Sequence, residues 1–335
     1  MKNKLLLLLC LILAFTAQVA YSWELNTESE IGEAGEAAPY LKTGVGPRAL
    51  AMGSAFIAVA DDNSGAYWNP AGIPFVKQNQ VGLVYSKMSL DRSYNYASII
   101  LPAWKLGVSA IMSGVKDIDG YDIHDYPTGS FKESNTVLLL SYAPKIADDL
   151  SIGMNLKILQ SKIQDASGTG FGFDLGTMLL ITERLKAAMV LQDVYTRIGW
   201  DGDYAEKAAM VAKVGASYDV FAPGSRNYNM KLSVDAEKYI TRKNIRYNFG
   251  TEFSLPYNLS LRAGVADNFL TAGFGLKMGF LGLDYCYKVD KLKMEGTNQL
   301  ALNLYWGGND YDTYSSPAPA KPVTPAPAPA PAKKK

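Results

Sequence analysis

The sequence predicts an all-β protein, a transmembrane antiparallel β-barrel of about 14 strands with a small N-terminal hatch or plug. Three observations point there. The chain begins with an export signal, no later run is long and apolar enough to be a membrane helix, and long segments alternate apolar and polar residues with period two.

Lys2 and Lys4 precede an apolar run from Leu5 to about Ala14, and small residues lead to Ala20-Tyr21-Ser22, a small-x-small cleavage pattern. Residues 1–22 therefore read as a signal peptide, with the mature chain starting near Trp23. The apolar run of about ten residues falls well short of the roughly 20 that a membrane helix needs. Cys10 lies inside this run behind Leu9, where a lipidation site would want small residues. Removal of the signal leaves Cys286 as the sole thiol, so no intramolecular disulfide is expected.

A formal net charge of +1, with both signs interspersed, excludes the basic bias of a nucleic-acid binder. Thirty glycines, 21 tyrosines and a mean hydropathy near zero are unusual for a compact exported domain. Alternation hides hydrophobicity in this way. A closed barrel satisfies every backbone polar group within lipid and needs an apolar residue only at every second position.

Residues 23–78 form an N-terminal segment, and GVGPRALAMGSAFIAVADDNSGAYWNPAGIP, residues 44–74, is its distinct part, rich in small residues. Asp61, Asp62 or Asn63 is placed to cap a short helix running to Trp68, Asn69-Pro70 imposes a break, and Gly72 permits close backbone approach. A 14-stranded barrel is too wide for its own side chains to fill, whereas eight strands are about the limit. This segment is the predicted filler.

The barrel is assigned to residues 79–306, with strands starting near 79, 92, 104, 134, 149, 169, 185, 207, 227, 244, 257, 270, 280 and 297. Alternation is clearest at the end, where Leu300, Leu302, Leu304 and Trp306 share one face and Gln299, Ala301, Asn303 and Tyr305 the other. Ile245, Tyr247, Phe249 and Phe253 likewise oppose Arg246, Asn248, Gly250 and Glu252. Soluble sandwiches alternate too, but runs of roughly 9 to 14 residues exceed the mean globular strand of about five or six. An even strand count puts both termini on one side, the periplasmic one if the tight connections near 101–103, 182–184, 255–257 and 279–281 are periplasmic turns. Residues 116–133 and 201–204 would then be outer loops. Trp104, Tyr142, Trp200, Tyr218, Tyr257 and Trp306 suit interfacial girdles.

Inward faces carry Asp174, Lys213, Asp235, Glu237, Arg246, Glu252, Arg262, Lys277 and Asp284, together with Lys157, Asp219, Lys231 and Lys288. Mixed signs predict mutual pairing, a structural network lining the lumen or gripping the hatch, since buried charges persist when paired. His124 is the only histidine and has no nucleophile and acid arranged around it, so no catalytic set is expected. Asp117, Asp119, Asp122 and Asp125 nearby lack the twelve-residue calcium-loop pattern. Neither a cofactor nor a metal is expected. After residue 306 the chain turns into a Pro/Ala/Lys-rich tail that cannot bury a core, extended in polyproline style and ending in Lys333-Lys334-Lys335, which can touch an anionic periplasmic surface.

Arg48-Ala49 with Met52-Gly53, the AVADD run and the NPAG run resemble the FadL-like outer-membrane barrels, specifically their PorV/PorQ branch. Phe171-Gly172-Phe173-Asp174-Leu175-Gly176 and Gly282-Leu283-Asp284-Tyr285 extend the likeness more loosely. The resemblance implies 14 strands and an N-terminal hatch containing Arg48, Gly53, Asp61, Asp62, Asn69, Pro70, Ala71 and Gly72. It also implies a non-enzymatic factor in protein secretion or surface assembly, whose partners are outer-membrane lipid and exported proteins. The alternative is a plugged transporter of small hydrophobic solutes.

Overall fold

The computed structural model describes residues 37–89, 91–202, 204–221, 228–289 and 296–307. The signal peptide, Cys10, Trp23 and the tail beyond 307 lie outside these. Among the described residues no helix is long and apolar enough to cross a membrane. Crossing falls instead to strands, which satisfy their backbone groups against one another only if the sheet closes on itself.

It does close. Sixteen strands form one antiparallel sheet. Fourteen of them make the barrel: β1 (Asn79–Lys87), β2 (Arg92–Leu101), β3 (Leu106–Tyr121), β4 (Pro127–Tyr142), β6 (Leu150–Ile163), β7 (Ala166–Leu180), β8 (Leu185–Trp200), β10 (Val211–Asp219), β11 (Asn229–Tyr239), β12 (Ile245–Ser254), β13 (Leu259–Ala266), β14 (Phe269–Met278), β15 (Leu281–Lys288) and β16 (Thr297–Trp306). Two short strands, β5 (Lys145–Ala147) and β9 (Ala205–Lys207), edge β6 and β8. Neighbours in sequence pair in space, and β16 returns to β1 with Asn79 opposite Trp306. The strand count and the all-β class agree with the sequence reading.

Period two sets the inside and the outside. Leu302, opposite Leu83 on β1 and Leu283 on β15, is 40% exposed, whereas Asn303 beside it is 4% exposed. Phe249 and Tyr247 are exposed and Asn248 is buried. An outer wall built from Leu, Ile, Phe and Tyr is far larger than any apolar patch a water-soluble monomer tolerates, and belongs in lipid.

One rim carries the tight turns, and there Trp104, Tyr142, Tyr218, Tyr257 and Trp306 stand exposed. The wall is uneven towards the other rim. Strands β3, β4, β6, β7 and β8 run for 14 to 16 residues, the remaining barrel strands for 8 to 11. The sequence placed an outer loop at 116–133, but β3 continues to Tyr121 and β4 begins at Pro127, leaving only 122–126 as the connection. Asp122 accepts hydrogen bonds from the amides of His124 and Tyr126 at 2.8 and 2.9 Å and closes the turn. The pairing persists through a bulge between Val115 and Ile118, which aligns Ile118 with Phe131. Both faces are polar here because the hairpin projects past the rim, so no alternation marked it as strand.

A cation placed on the outer face at Leu302 or Phe249 is expected to cost about 2–4 kcal/mol at mid-bilayer depth. Folding of Leu302→Arg into lipid vesicles, followed by the shift in gel mobility of folded barrels, should therefore be impaired far more than that of Asn303→Arg. Greater impairment by Asn303→Arg would mean that the faces are reversed, and equal impairment that the Leu302 face does not meet lipid.

Candidate functional site

Residues 37–76 lie inside the barrel. Short elements compose them: 3-10 turns at Pro39–Lys42 and Pro70–Phe75, and helices α1 (Pro47–Ala51) and α2 (Gly65–Trp68). Proline opens three of the four, where its missing N–H is no loss and its fixed φ suits the first turn. The segment has its own small core, in which Trp68 meets Phe56 and Tyr67 edge-on with centroids 6.3 and 5.2 Å apart. Trp68 Nε1 donates to the Val45 carbonyl and the Tyr67 hydroxyl to that of Leu41, each at 2.8 Å. Asp62 accepts from the amide and hydroxyl of Ser64 just before α2, and Asn69 turns extended at its end.

Small residues allow this backbone to touch the wall. At Gly53 (φ +62°) a Cβ would sit 2.4 Å from the Phe249 carbonyl on β12, so only glycine fits against that strand. Gly72 plays the same part within the segment, where a Cβ would meet the Ala60 carbonyl at 2.0 Å.

Inward polar side chains, and Asn69 of the segment itself, satisfy several of its backbone groups. Asp235 Oδ2 accepts from the amides of Phe56 and Ile57 at 2.7 and 3.1 Å. Asn69 donates to the carbonyls of Ile57 and of Thr177 on β7, while its own oxygen accepts from Ala71 N at 3.0 Å just past Pro70. Ser151 donates to the Ala71 carbonyl, Asn155 to that of Ala66, and Ser217 to that of Ala58.

Two ionic networks tie the segment to the wall. In the first, Arg48 makes a two-pronged contact with Glu252 at 2.7 and 2.8 Å and reaches Asp61 at 2.5 Å and Asp62 at 3.2 Å. Glu252 also receives Arg262, which continues to Asp284, and Asp284 accepts from Asn303, which in turn accepts from Asn63 of the segment. Desolvation pushes the Asp61 carboxyl up, but the Arg48 guanidinium together with Lys231 and Lys186 more than reverses this and holds it at about 2. In the second network Lys157 bridges Asp174 and Asp193 at 2.7 Å each, and Lys42 of the segment docks on Asp193.

Several of the other inward charges named from the sequence pair across the wall. Lys213 meets Glu237 at 3.3 Å, Lys231 meets Asp219 at 3.2 Å and Arg246 meets Asp267 at 3.4 Å. Lys277 donates to Gln78. Asp235 departs from the expected ion pairing, since backbone amides are its close partners. Sequence reasoning missed Lys42 and Asp193. Asp193 sits in a bulge with φ +55°, where one residue of β7, Asp174, opposes three of β8, residues 192–194. The available signal was the pair Gln192-Asp193, two consecutive polar residues in an alternating strand.

The segment divides the lumen. Toward the turn rim lies a vestibule of about 740 Å³ that includes Arg48, Asp61, Asp62, Lys186, Glu252 and Asn303. Toward the hairpin rim lies one of about 460 Å³ with Tyr40, Leu50, Tyr94, Arg92, Arg246 and Gln299. Gln299, which lines the second, and Ala301, which lines the first, are two residues apart on β16, roughly 7 Å of strand. Only that distance separates the two cavities along this wall.

The barrel fold has solved counterparts. No family model and no curated protein matches the sequence. The toluene transporter TbuX of Ralstonia pickettii is similar in structure, with a TM-score of 0.52 at 12% identity over 79% of this chain and 99% of that one. The toluene transporter TodX of Pseudomonas putida gives 0.51 at 11% over 78% and 96%. The monoaromatic hydrocarbon channel CymD gives 0.50 at 13% over the same shares. What is shared is the fold.

Arg48→Met strands Asp61 and Asp62 in the lumen and is expected to cost docking of the segment about 2–3 kcal/mol. Limited proteolysis should then cut within residues 37–76 while the barrel keeps its folded gel mobility. A segment as resistant as in the parent would show that the Arg48 network does not hold it.

Proposed function

We propose that this chain is a plugged, FadL-like transporter of the bacterial outer membrane that passes small hydrophobic solutes, with residues 37–76 as its hatch. The observation that carries the reading is a lumenal segment seated between two vestibules that open at opposite rims. A passage needs only to join cavities already present, through a shift of the hatch beside β16, without covalent chemistry. The barrels named above, two toluene transporters and a hydrocarbon channel, support a transport role.

Short turns face the periplasm in such barrels and long hairpins face outward, which sets the larger vestibule and the last strand's end at Trp306 on the periplasmic side, while residues 39–42 lie toward the outer vestibule. The exposed aromatics at the turn rim then form the inner girdle. A secretion or surface-assembly role, implied by the PorV/PorQ resemblance, draws no support from these structural relatives, and the transporter reading is preferred on that ground.

Deleting residues 44–74 is expected to leave a folded but leaky barrel. Planar-bilayer conductance tests this, with near-zero current from the intact protein and stable open currents from the deletion variant. Toluene uptake into cells making the intact protein should exceed that of cells without it. Unchanged uptake, together with an exported protein recovered in stoichiometric amount from the purified barrel, would replace transport by secretion.

A further inference from the structure

Charged groups around the hairpin-side vestibule are committed to protein partners. Arg92 donates to the carbonyl and the hydroxyl of Ser89 at 2.9 and 3.0 Å, and Glu133 accepts from Asn135 at 2.7 Å. Arg242 and Arg246 lie over the Tyr239 ring, 4.4 and 4.9 Å from its centroid, and Arg246 also meets Asp267. Lys42 docks on Asp193, and Lys288 is engaged as well. An anion entering here would have to draw a cation out of a contact it already makes.

Three neutral side chains on the inner wall are in the opposite state. Ser86 of β1, Tyr94 of β2 and Gln299 of β16 are 1%, 2% and 1% exposed. Neither hydroxyl has a hydrogen-bond partner, and neither does either polar atom of the Gln299 amide. Ser86 faces Gln299 on one side and Tyr94 on the other, so the three make one row across adjacent strands, about 10 Å from the first backbone to the last. Tyr94 and Gln299 line the cavity of about 460 Å³. Buried polar atoms left without partners are costly, and a row of them beside a cavity marks a place that a ligand completes.

We infer that this row binds a small, uncharged hydroxylated aromatic, a simple phenol. Its hydroxyl both donates and accepts, so it gives its proton to the Gln299 carbonyl oxygen and accepts from the Tyr94 hydroxyl, while its ring lies among Tyr40, Leu50, Met88 and Val289 of the same lining. The row is sealed from solvent in this structure, and Leu50 belongs to the lumenal segment, so binding accompanies a shift of that segment. The inference rests on the transporter reading and narrows the solute from a bare hydrocarbon to one that carries a neutral hydroxyl. An amide and a hydroxyl without partners discriminate against a ligand that offers no hydrogen bond.

The test is equilibrium binding to the full chain in lipid nanodiscs, with p-cresol, toluene and benzoate as probes and empty nanodiscs as the baseline. Saturable binding of p-cresol is expected, about tenfold tighter than that of toluene, which lacks the hydroxyl, or of benzoate, which brings a charge. Tyr94→Phe and Gln299→Leu should each weaken p-cresol about tenfold and leave toluene nearly unchanged, a split that a general loosening of the barrel would not produce. Folded gel mobility screens each variant, and the near-isosteric Tyr94→Phe keeps the test alive if Gln299→Leu fails to fold. Equal affinity for toluene and p-cresol, tighter binding of benzoate than of p-cresol, or unchanged p-cresol affinity in the folded variants would overturn the inference. Toluene uptake without saturable p-cresol binding would sink this site but keep transport; saturable p-cresol binding by a chain whose 44–74 deletion variant stays closed would keep the site and sink the transport reading.

Discussion

Backbone hydrogen bonding within a non-aqueous surround governs this molecule. Strands facing lipid on one side have no water to satisfy their amides and carbonyls, so the sheet closes, and fourteen strands close around more space than inward side chains can occupy. Everything distinctive in the lumen follows from that surplus. The filling segment is itself made of turns and very short helices, which leave many backbone groups without partners of their own. Wall side chains such as Asp235, Ser151, Asn155 and Ser217 complete them.

Charge in the lumen obeys the same logic. An ion withdrawn from water is tolerable when paired and further hydrogen-bonded. The Arg48 network joins two carboxylates of the segment to three strands of the wall, and the Lys157 cluster captures Lys42 through Asp193. These contacts concentrate on opposite flanks of the barrel. The segment is therefore held across its width, while the wall along β16 between Gln299 and Asn303 carries fewer such ties.

Much of this was legible in the chain. Leu300, Leu302 and Leu304 alternating with Gln299 and Asn303 declare an inner and an outer face, and because a slip of one residue would invert every side chain, such a pattern also fixes register. The Asn69-Pro70 break and the small residues around Gly53 announced a compact element unlike the strands. Two kinds of feature were hidden. The projecting hairpin of β3 and β4 faces the same medium on both sides, so its polarity carries no period and residues 116–121 and 127–133 looked like loop. Asp193 and Lys42 meet across 151 residues through a bulge that breaks the alternation, and single-chain pattern reading registers neither long-range pairing nor the interruption.

The seam between β1 and β16 has a consequence for how the chain is assembled. One of its strands follows the lumenal segment directly, and the other is the last strand of the barrel, so every other pairing joins strands made close together in time. The segment bears Trp68, Tyr67 and Phe56 in a packed knot that cannot be threaded through a finished wall. Closing the seam is thus also an act of encapsulation, and the segment must already be seated against the open curved sheet when the two ends of the chain meet. Asn63, bonded to Asn303 on β16 and to Tyr96 on β2 while resting against Gly82 of β1, then serves as the clasp that aligns both edges as they come together.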